Sequence, residues 1–199
     1  AVRARGAAGA PSGKDSLRAT TTRIGRSNQE IRDVPQSMTV ITEQLIDERH
    51  LDSLKDALRT TGGISFQAAE GGEEDIRLRG FSLQGSGDIF IDGIRDPAFY
   101  ERDSFSWDRL EVLRGSASML FGRGSTGGVV NQVSKQPYPW SQHEVSATVG
   151  TGGSLRATGD FNFRTGDSSA LRVNAMGNVA DNDGAGNRID KRGLAATYR

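Results

Sequence analysis

Cysteine is absent from this 199-residue chain, which removes disulfides, thiolate metal centres and thiol catalysis together. Histidine is scarce: His50 and His143 stand far apart with no ligand spacing, so they offer no zinc site. Charge of one sign is not in excess, since 25 Lys and Arg balance 25 Asp and Glu. No global basic field invites nucleic acid, and no block of like charges marks an interaction tail. No apolar run approaches the ~18 residues of a membrane-crossing helix. Crossing by alternating β-strands is untouched by that test. Hydrophobic residues reach only 35%, low for a compact enzyme. Against these shortages stands one excess, 26 glycines, well above the usual ~7%. It points to many turns and a β-rich chain.

Several of those glycines fall in "EVLRGSASMLFGRGSTGGVVNQVSK", residues 111 to 135, where Gly122, Gly124 and Gly127 match G-x-G-x-x-G. A dinucleotide-binding loop must open a helix whose N-terminus holds the pyrophosphate. Here the glycines lead instead into Val129-Val130-Asn131-Gln132-Val133 and then Pro137, a short strand. The nucleotide reading fails on that context, and the glycines are expected to serve tight turns.

Residues 1–32 read as a flexible tail rich in Ala, Gly, Ser, Thr and Arg, without the apolar stretch of a signal peptide. "SMTVIT" (37 to 42) predicts a strand, and Thr42 is placed to cap the helical turns of "EQLIDERH". Ser53 predicts a second cap, before Leu54, Ala57 and Leu58 at i, i+3 and i+4, with Gly62-Gly63 ending that helix. The pattern then turns to β. "DIRLRGF" (75 to 81) alternates, and Asp92-Gly93 between apolar residues signals a two-residue hairpin. "DRLEVLRG" (108 to 115) predicts a strand, and "SASMLFG" a short helical turn capped by Ser116. Residues 33–136 are thus expected to form a mixed α+β domain.

The texture changes at "PYPW" (137 to 140), and 137–199 reads as strands divided by polar turns. Val145, Ala147 and Val149 share one face. Leu155, Ala157, Gly159, Phe161 and Phe163 share another, opposite Arg156, Asp160, Asn162 and Arg164. Leu171, Val173, Ala175, Gly177 and Val179 oppose Arg172, Asn174, Met176 and Asn178. Any half-buried antiparallel sheet alternates this way. A membrane barrel would place the apolar faces outward, because an Arg facing lipid at mid-depth costs ~2–4 kcal/mol. A barrel closes with at least ~8 strands and about four are visible, so a longer protein is expected. "DNDGAGNRID" (181 to 190) lacks the Glu that closes a calcium loop and reads as a strand turn.

Taken in series, "DVPQSMTVIT", "LKDALRTTGGISF", "DIRLRGF", "DIFIDGIRDPAFYERD", "RLEVLRGSASMLFGRGSTGGVVNQVSK" and "EVSATVGTG" resemble the TonB-dependent outer-membrane siderophore receptors. The likeness covers most of the chain in order. It implies an α+β plug domain followed by the start of an antiparallel transmembrane β-barrel of about 22 strands. The implied activity is capture of a ferric siderophore at the cell surface of a Gram-negative outer membrane. Import into the periplasm would be driven by TonB with ExbB and ExbD. The resemblance further implies a monomer in outer-membrane lipid, no enzymatic activity, and no cofactor beyond the iron that the siderophore carries.

Residue by residue, Arg79 in "RLRGF" and Arg114 in "VLRGS" match plug arginines that pair with barrel glutamates, with Glu111 as a local alternative partner. Ligand contacts are expected near Gln67, Gly85, Ser86 and Tyr100. Arg102 and Arg123 would attract an anionic ferric catecholate. The energy-coupling segment is expected within "DSLRATTTRIG" (15 to 25), although no TonB-box pattern stands there. Other cargoes (heme, a vitamin, a glycan) and an adhesin-like binding role fit the same architecture.

Overall fold

The computed structural model describes residues 14, 16–24, 28–68, 74–96, 100–122, 124–151, 153–182 and 187–199. They form two compact units, residues 1–134 and 135–199. The first contains, in order, β1 (Thr21–Thr22), β2 (Gln29–Glu30), β3 (Met38–Thr42), α1 (Glu43–Arg49), α2 (Leu54–Arg59), β4 (Ile64–Ala68) and β5 (Glu74–Leu78). It continues with β6 (Phe81–Ser82), α3 (Leu83–Ser86), β7 (Ile89–Ile91), β8 (Ile94–Arg95), β9 (Trp107–Arg114), α4 (Ser118–Phe121) and β10 (Gly128–Ser134). No helix among the described residues is long and apolar enough to cross a membrane, which leaves crossing by strands open.

Local chemistry fixes the boundaries. The Thr42 hydroxyl accepts from Leu45 N and starts α1, and Ser53 Oγ accepts from Asp56 N (3.2 Å) and starts α2. Asp92 and Gly93 both take positive φ (49° and 78°) between the paired Ile91 and Ile94, the geometry of a type I′ hairpin. Arg79 and Gly80 repeat it between β5 and β6 (53° and 87°), so the Arg-Gly dipeptide is itself the turn. At α4 the sequence expectation needs correction. Ala117, not Ser116, precedes the helix and gives no side-chain cap, while Ser116 Oγ meets Ser118 Oγ at 3.2 Å.

A five-stranded sheet in the order β3-β9-β10-β7-β8 organises this unit, with β10 parallel to β7 and the other pairs antiparallel. Both faces of β9 are buried, and alternation sends its residues to two different cores. Leu110 and Val112 join Ile41, Leu54, Leu58, Leu78 and Ile89 on the side of the helices. Leu113 packs on the other side with Ile24, Phe90, Ala117 and Val129. Ile24 belongs to the segment that precedes the domain, so residues 21–24 are built into its core rather than hanging from it.

The second unit is a meander of β11 (Gln142–Gly150), β12 (Ser154–Arg164), β13 (Ala170–Asn182) and β14 (Asn187–Tyr198). One face of it is apolar and exposed or half-exposed, including Val145, Val149, Leu155 and Leu194, the last 77% accessible. The buried side chains lie on the other face and are mostly polar: Arg156, Asn162, Asn174 and Arg172, the last 1% accessible, beside Met176. Arg172 forks onto Asp160 (2.8 and 2.5 Å), donates to Gln136 O (3.0 Å) and lies 4.6 Å from the Tyr138 ring centroid. Asn162 accepts from Tyr138 N (2.9 Å) and donates to the carbonyls of Tyr138 and Trp140. A soluble sheet would bury the opposite face. With charge inward and Val, Leu and Phe outward, this is the polarity of a barrel wall set in lipid.

Candidate functional site

The glycine-rich loop between α4 and β10 carries the G-x-G-x-x-G match. A carboxylate already holds the position a phosphate would take. Buried Asp88 accepts from Ser125 N (2.8 Å) and Ser125 Oγ (3.0 Å), and also from Ser86 Oγ. An anion directed at these donors would meet a fixed negative charge, so the loop is a seat for Asp88 and not for a nucleotide. Gly128, at φ 139°, is required sterically as well: a Cβ there would drive into the Leu113 carbonyl.

The hairpin β7–β8 leads to a polar cluster around Tyr100. Asp96 is buried and its backbone N–H is held by Ile89 O (2.9 Å). Its carboxylate accepts from the Tyr100 hydroxyl (2.9 and 3.1 Å), from Arg102 Nε (2.5 Å) and from Gln132 Nε2 (3.3 Å). The Arg102 guanidinium lies 4.3 Å from the centroid of the Tyr100 ring. Tyr100 is 50% exposed, whereas Arg102 is only 3% exposed. Burial, then the hydrogen bond to Asp96, pushes the Tyr100 phenol above its ordinary value, so it remains a proton donor.

The remaining sequence-selected positions scatter around this cluster. Gln67 is exposed on β4, and Gly85 and Ser86 are exposed at the end of α3. Gly85 N donates to Ser82 Oγ (3.0 Å) and Ser86 Oγ to Ser82 O (2.7 Å), which fixes that corner. Among the described residues no hydrogen bond links Gln67, Ser86 and Tyr100 to one another. Arg123 lies outside the described residues. Among those described, no group of three or more His, Asp or Glu side chains is arranged to hold a metal ion.

Arg79 and Arg114 come together on the adjoining side. Arg114 Nε donates to Gly62 O (3.1 Å) and its Nη1 to Thr39 Oγ1 (2.8 Å). Burial, then the neighbouring Arg79 charge, lowers its pKa from the usual arginine value. Gly115 follows Arg114 at a positive φ of 103°, and Arg79 Nη1 passes within ordinary contact distance of it. Glu111 is not the local partner of either arginine. Three residues from Arg114 on one strand, it points to the opposite face. There it is fully buried, accepting from Arg23 N (2.8 Å) and Asn131 Nδ2 (3.1 Å). Burial raises its pKa, and the surrounding donors oppose the rise.

Glu111 thereby ties the segment before the domain to the sheet, assisted by Arg109 Nη1 on Thr21 O (3.1 Å). Asn131 completes the tie, because its Oδ1 accepts from Gly93 N (3.0 Å) at the hairpin turn. The roles of Asp88, Asp96, Asn131 and Gln132 escaped sequence reasoning. One signal was available: two adjacent amides inside the apolar strand "VVNQV" must find partners on both faces.

Residues 30–129 match the family described as TonB-dependent Receptor Plug Domain. The chain is 38% identical over 74% of its length to a probable TonB-dependent receptor, BfrD, of Bordetella pertussis. It is 37% identical over 75% of its length to the catecholate siderophore receptor Fiu of Escherichia coli. It covers 20% of each of these two proteins. The crystal structure of the siderophore receptor PiuA from Acinetobacter baumannii superposes on 94% of this chain and 27% of that one, with TM-score 0.84 and 32% identity. The closed form of the Escherichia coli receptor Fiu covers the same shares at TM-score 0.81 and 32% identity. With the family match spanning half of its residues and the fold in agreement, the chain belongs to the TonB-dependent receptors, as a plug domain followed by barrel strands.

Proposed function

We propose that the chain serves an outer-membrane receptor that binds a ferric siderophore outside the cell and passes it to the periplasm with energy delivered through TonB. The observation that carries this reading is the inverted polarity of the meander that follows the plug. Arg172 and Asn162 are buried while Val145 and Leu194 are exposed, as a lipid-embedded wall requires. The cargo class is supported by the relatives, which include a catecholate siderophore receptor at 37% identity. Transport, not catalysis, is the role, and the iron belongs to the cargo.

Arg79 and Arg114 act in this reading as the plug's half of an ionic lock, seated on acidic residues of the barrel wall. The support is that two like charges converge while Glu111 faces away. Tyr100 is the candidate ligand contact, with Gln67, Gly85, Ser86 and Arg123 as the other apical positions. The test is fluorescence-quenching titration of the purified full-length receptor with a ferric catecholate, a ferric hydroxamate and heme. Saturable quenching by one ferric siderophore is expected. Binding of heme alone, or of none, would overturn the assignment.

A further inference from the structure

Tyr100 offers a ligand two different things, a hydroxyl and a ring, and the structure spends only one of them internally. The single hydroxyl proton points to the Asp96 carboxylate, 2.9 and 3.1 Å away. That carboxylate is fixed in turn by Arg102 Nε at 2.5 Å and Gln132 Nε2 at 3.3 Å. A phenol has one proton to donate, so the hydroxyl keeps only acceptor capacity. The iron-binding oxygens of a ferric siderophore are deprotonated and are themselves acceptors, a mismatch with that remaining capacity. Arg102 offers no better handle: it is nearly fully buried, and its charge is matched by Asp96. What stays available is the ring. Its one face rests on the guanidinium at 4.3 Å, and half of the residue is left uncovered by the rest of this chain.

We propose that Asp96 and Arg102 are positioning residues that commit Tyr100 to recognising cargo through the face of its ring, so that the cargo carries a planar aromatic group. The inference rests on the siderophore-receptor reading and narrows it to aromatic chelators. It also changes the part expected of Arg102, from an anchor for an anionic ligand to the support behind the ring. Stacking of two rings favours offset or tilted contact. A ring held at its hydroxyl by Asp96 and from behind by Arg102 presents that surface without losing rotamer freedom on binding.

The experiment titrates the full-length receptor with two probes, a ferric tris-catecholate and a ferric aliphatic trihydroxamate. Wild type is expected to prefer the catecholate. Tyr100→Phe keeps the ring but loses its hold on Asp96, so it should weaken catecholate binding by about twofold, clearly less than removal of the ring. Tyr100→Leu should lose roughly threefold to tenfold on the catecholate, with the hydroxamate unchanged. Arg102→Met should erode the same catecholate preference by leaving the ring unsupported, and the ratio of the two affinities reports this independently of folding yield. Equal losses in Tyr100→Phe and Tyr100→Leu would overturn the proposal, as would a wild-type preference for the hydroxamate. Binding of neither probe by wild type would sink the siderophore reading itself, and the aromatic assignment with it.

Discussion

Glu111→Gln tests whether the segment before the plug is held by charge-assisted hydrogen bonds or merely by packing. The two carboxylate oxygens of Glu111 each face a donor, Arg23 N at 2.8 Å and Asn131 Nδ2 at 3.1 Å. Asn131 cannot turn its amide over without losing Gly93 N, which its Oδ1 accepts at 3.0 Å. A glutamine at position 111 therefore sets one N–H against another. A hydrogen bond to a charged group contributes about 1.5–3 kcal/mol, and a stranded buried donor costs about 1–3 kcal/mol. Relief from burying a charge offsets part of this, because burial is the main cause of the raised Glu111 pKa. The net expectation is about 1–3 kcal/mol, or roughly a 5- to 150-fold rise in local opening.

Hydrogen exchange of the full-length receptor, read on peptides spanning residues 20–24, measures that opening directly. Adding Asn131→Asp to Glu111→Gln reverses donor and acceptor across the same gap. The new carboxylate accepts from both Gly93 N and the glutamine amide, and the net charge is unchanged. Protection should return to within about threefold of wild type. If Glu111→Gln exchanges like wild type, or if the paired change protects no better than the single one, the latch assigned to Glu111 is wrong.

Two further outcomes are expected. Arg79→Ala and Arg114→Ala in the full-length receptor should reduce siderophore uptake several-fold at unchanged surface level, because a buried acid stripped of its arginine costs about 3–5 kcal/mol; wild-type uptake in both would remove the lock. Ser82→Ala should make residues 74–82 less sensitive to acid. The Asp75 pKa is lowered chiefly by the Ser82 hydroxyl (2.5 Å), with Arg77 adding to it against burial. A carboxylate with lowered pKa contributes stability above its ordinary value of 3.8 and loses it as pH falls through the folded value. The substitution should thus flatten the acid limb of the hydrogen-exchange profile, while costing about 1 kcal/mol at neutral pH through the lost cap on Gly85 N. An unchanged acid limb would refute the assignment.

Short-range chemistry was legible in the sequence. Thr42 and Ser53 are caps because a hydroxyl reaches an amide three residues on. Asp92-Gly93 turns because few other pairs accept two positive φ values. The alternation of "LRATGDFNFR" survives in β12, but only the structure says which side is covered. The failures share a cause in sequence distance. Glu111 meets Arg23 across 88 residues, and Asp88 meets Ser125 across 37. Nothing local marks such partners. Arg102 illustrates the same limit, since an arginine near an apex looks outward in sequence and inward once Asp96 is placed. Ser116 missed its helix by one residue because Ala117 keeps a non-helical backbone.

The consecutive amides of β10 have a mechanical consequence. Asn131 faces the Glu111 side and Gln132 the Asp96 side, so one rigid strand carries both the tie to residues 20–24 and the support under Tyr100. A pull on the chain ahead of Thr20 is borne by the β1–β2 pairing, by Arg23 N on Glu111 and by Arg109 on Thr21 O, and it reaches β10 through Glu111 and Asn131. The strand itself is paired along its whole length with β9 and flanked by β7, so its ladder is strained in parallel. These few contacts yield before the ladder does. Tension would peel residues 20–24 from the plug while leaving the sheet standing, and Glu111, released from Arg23 N, would pass the change to Asn131 and the Gly93 turn.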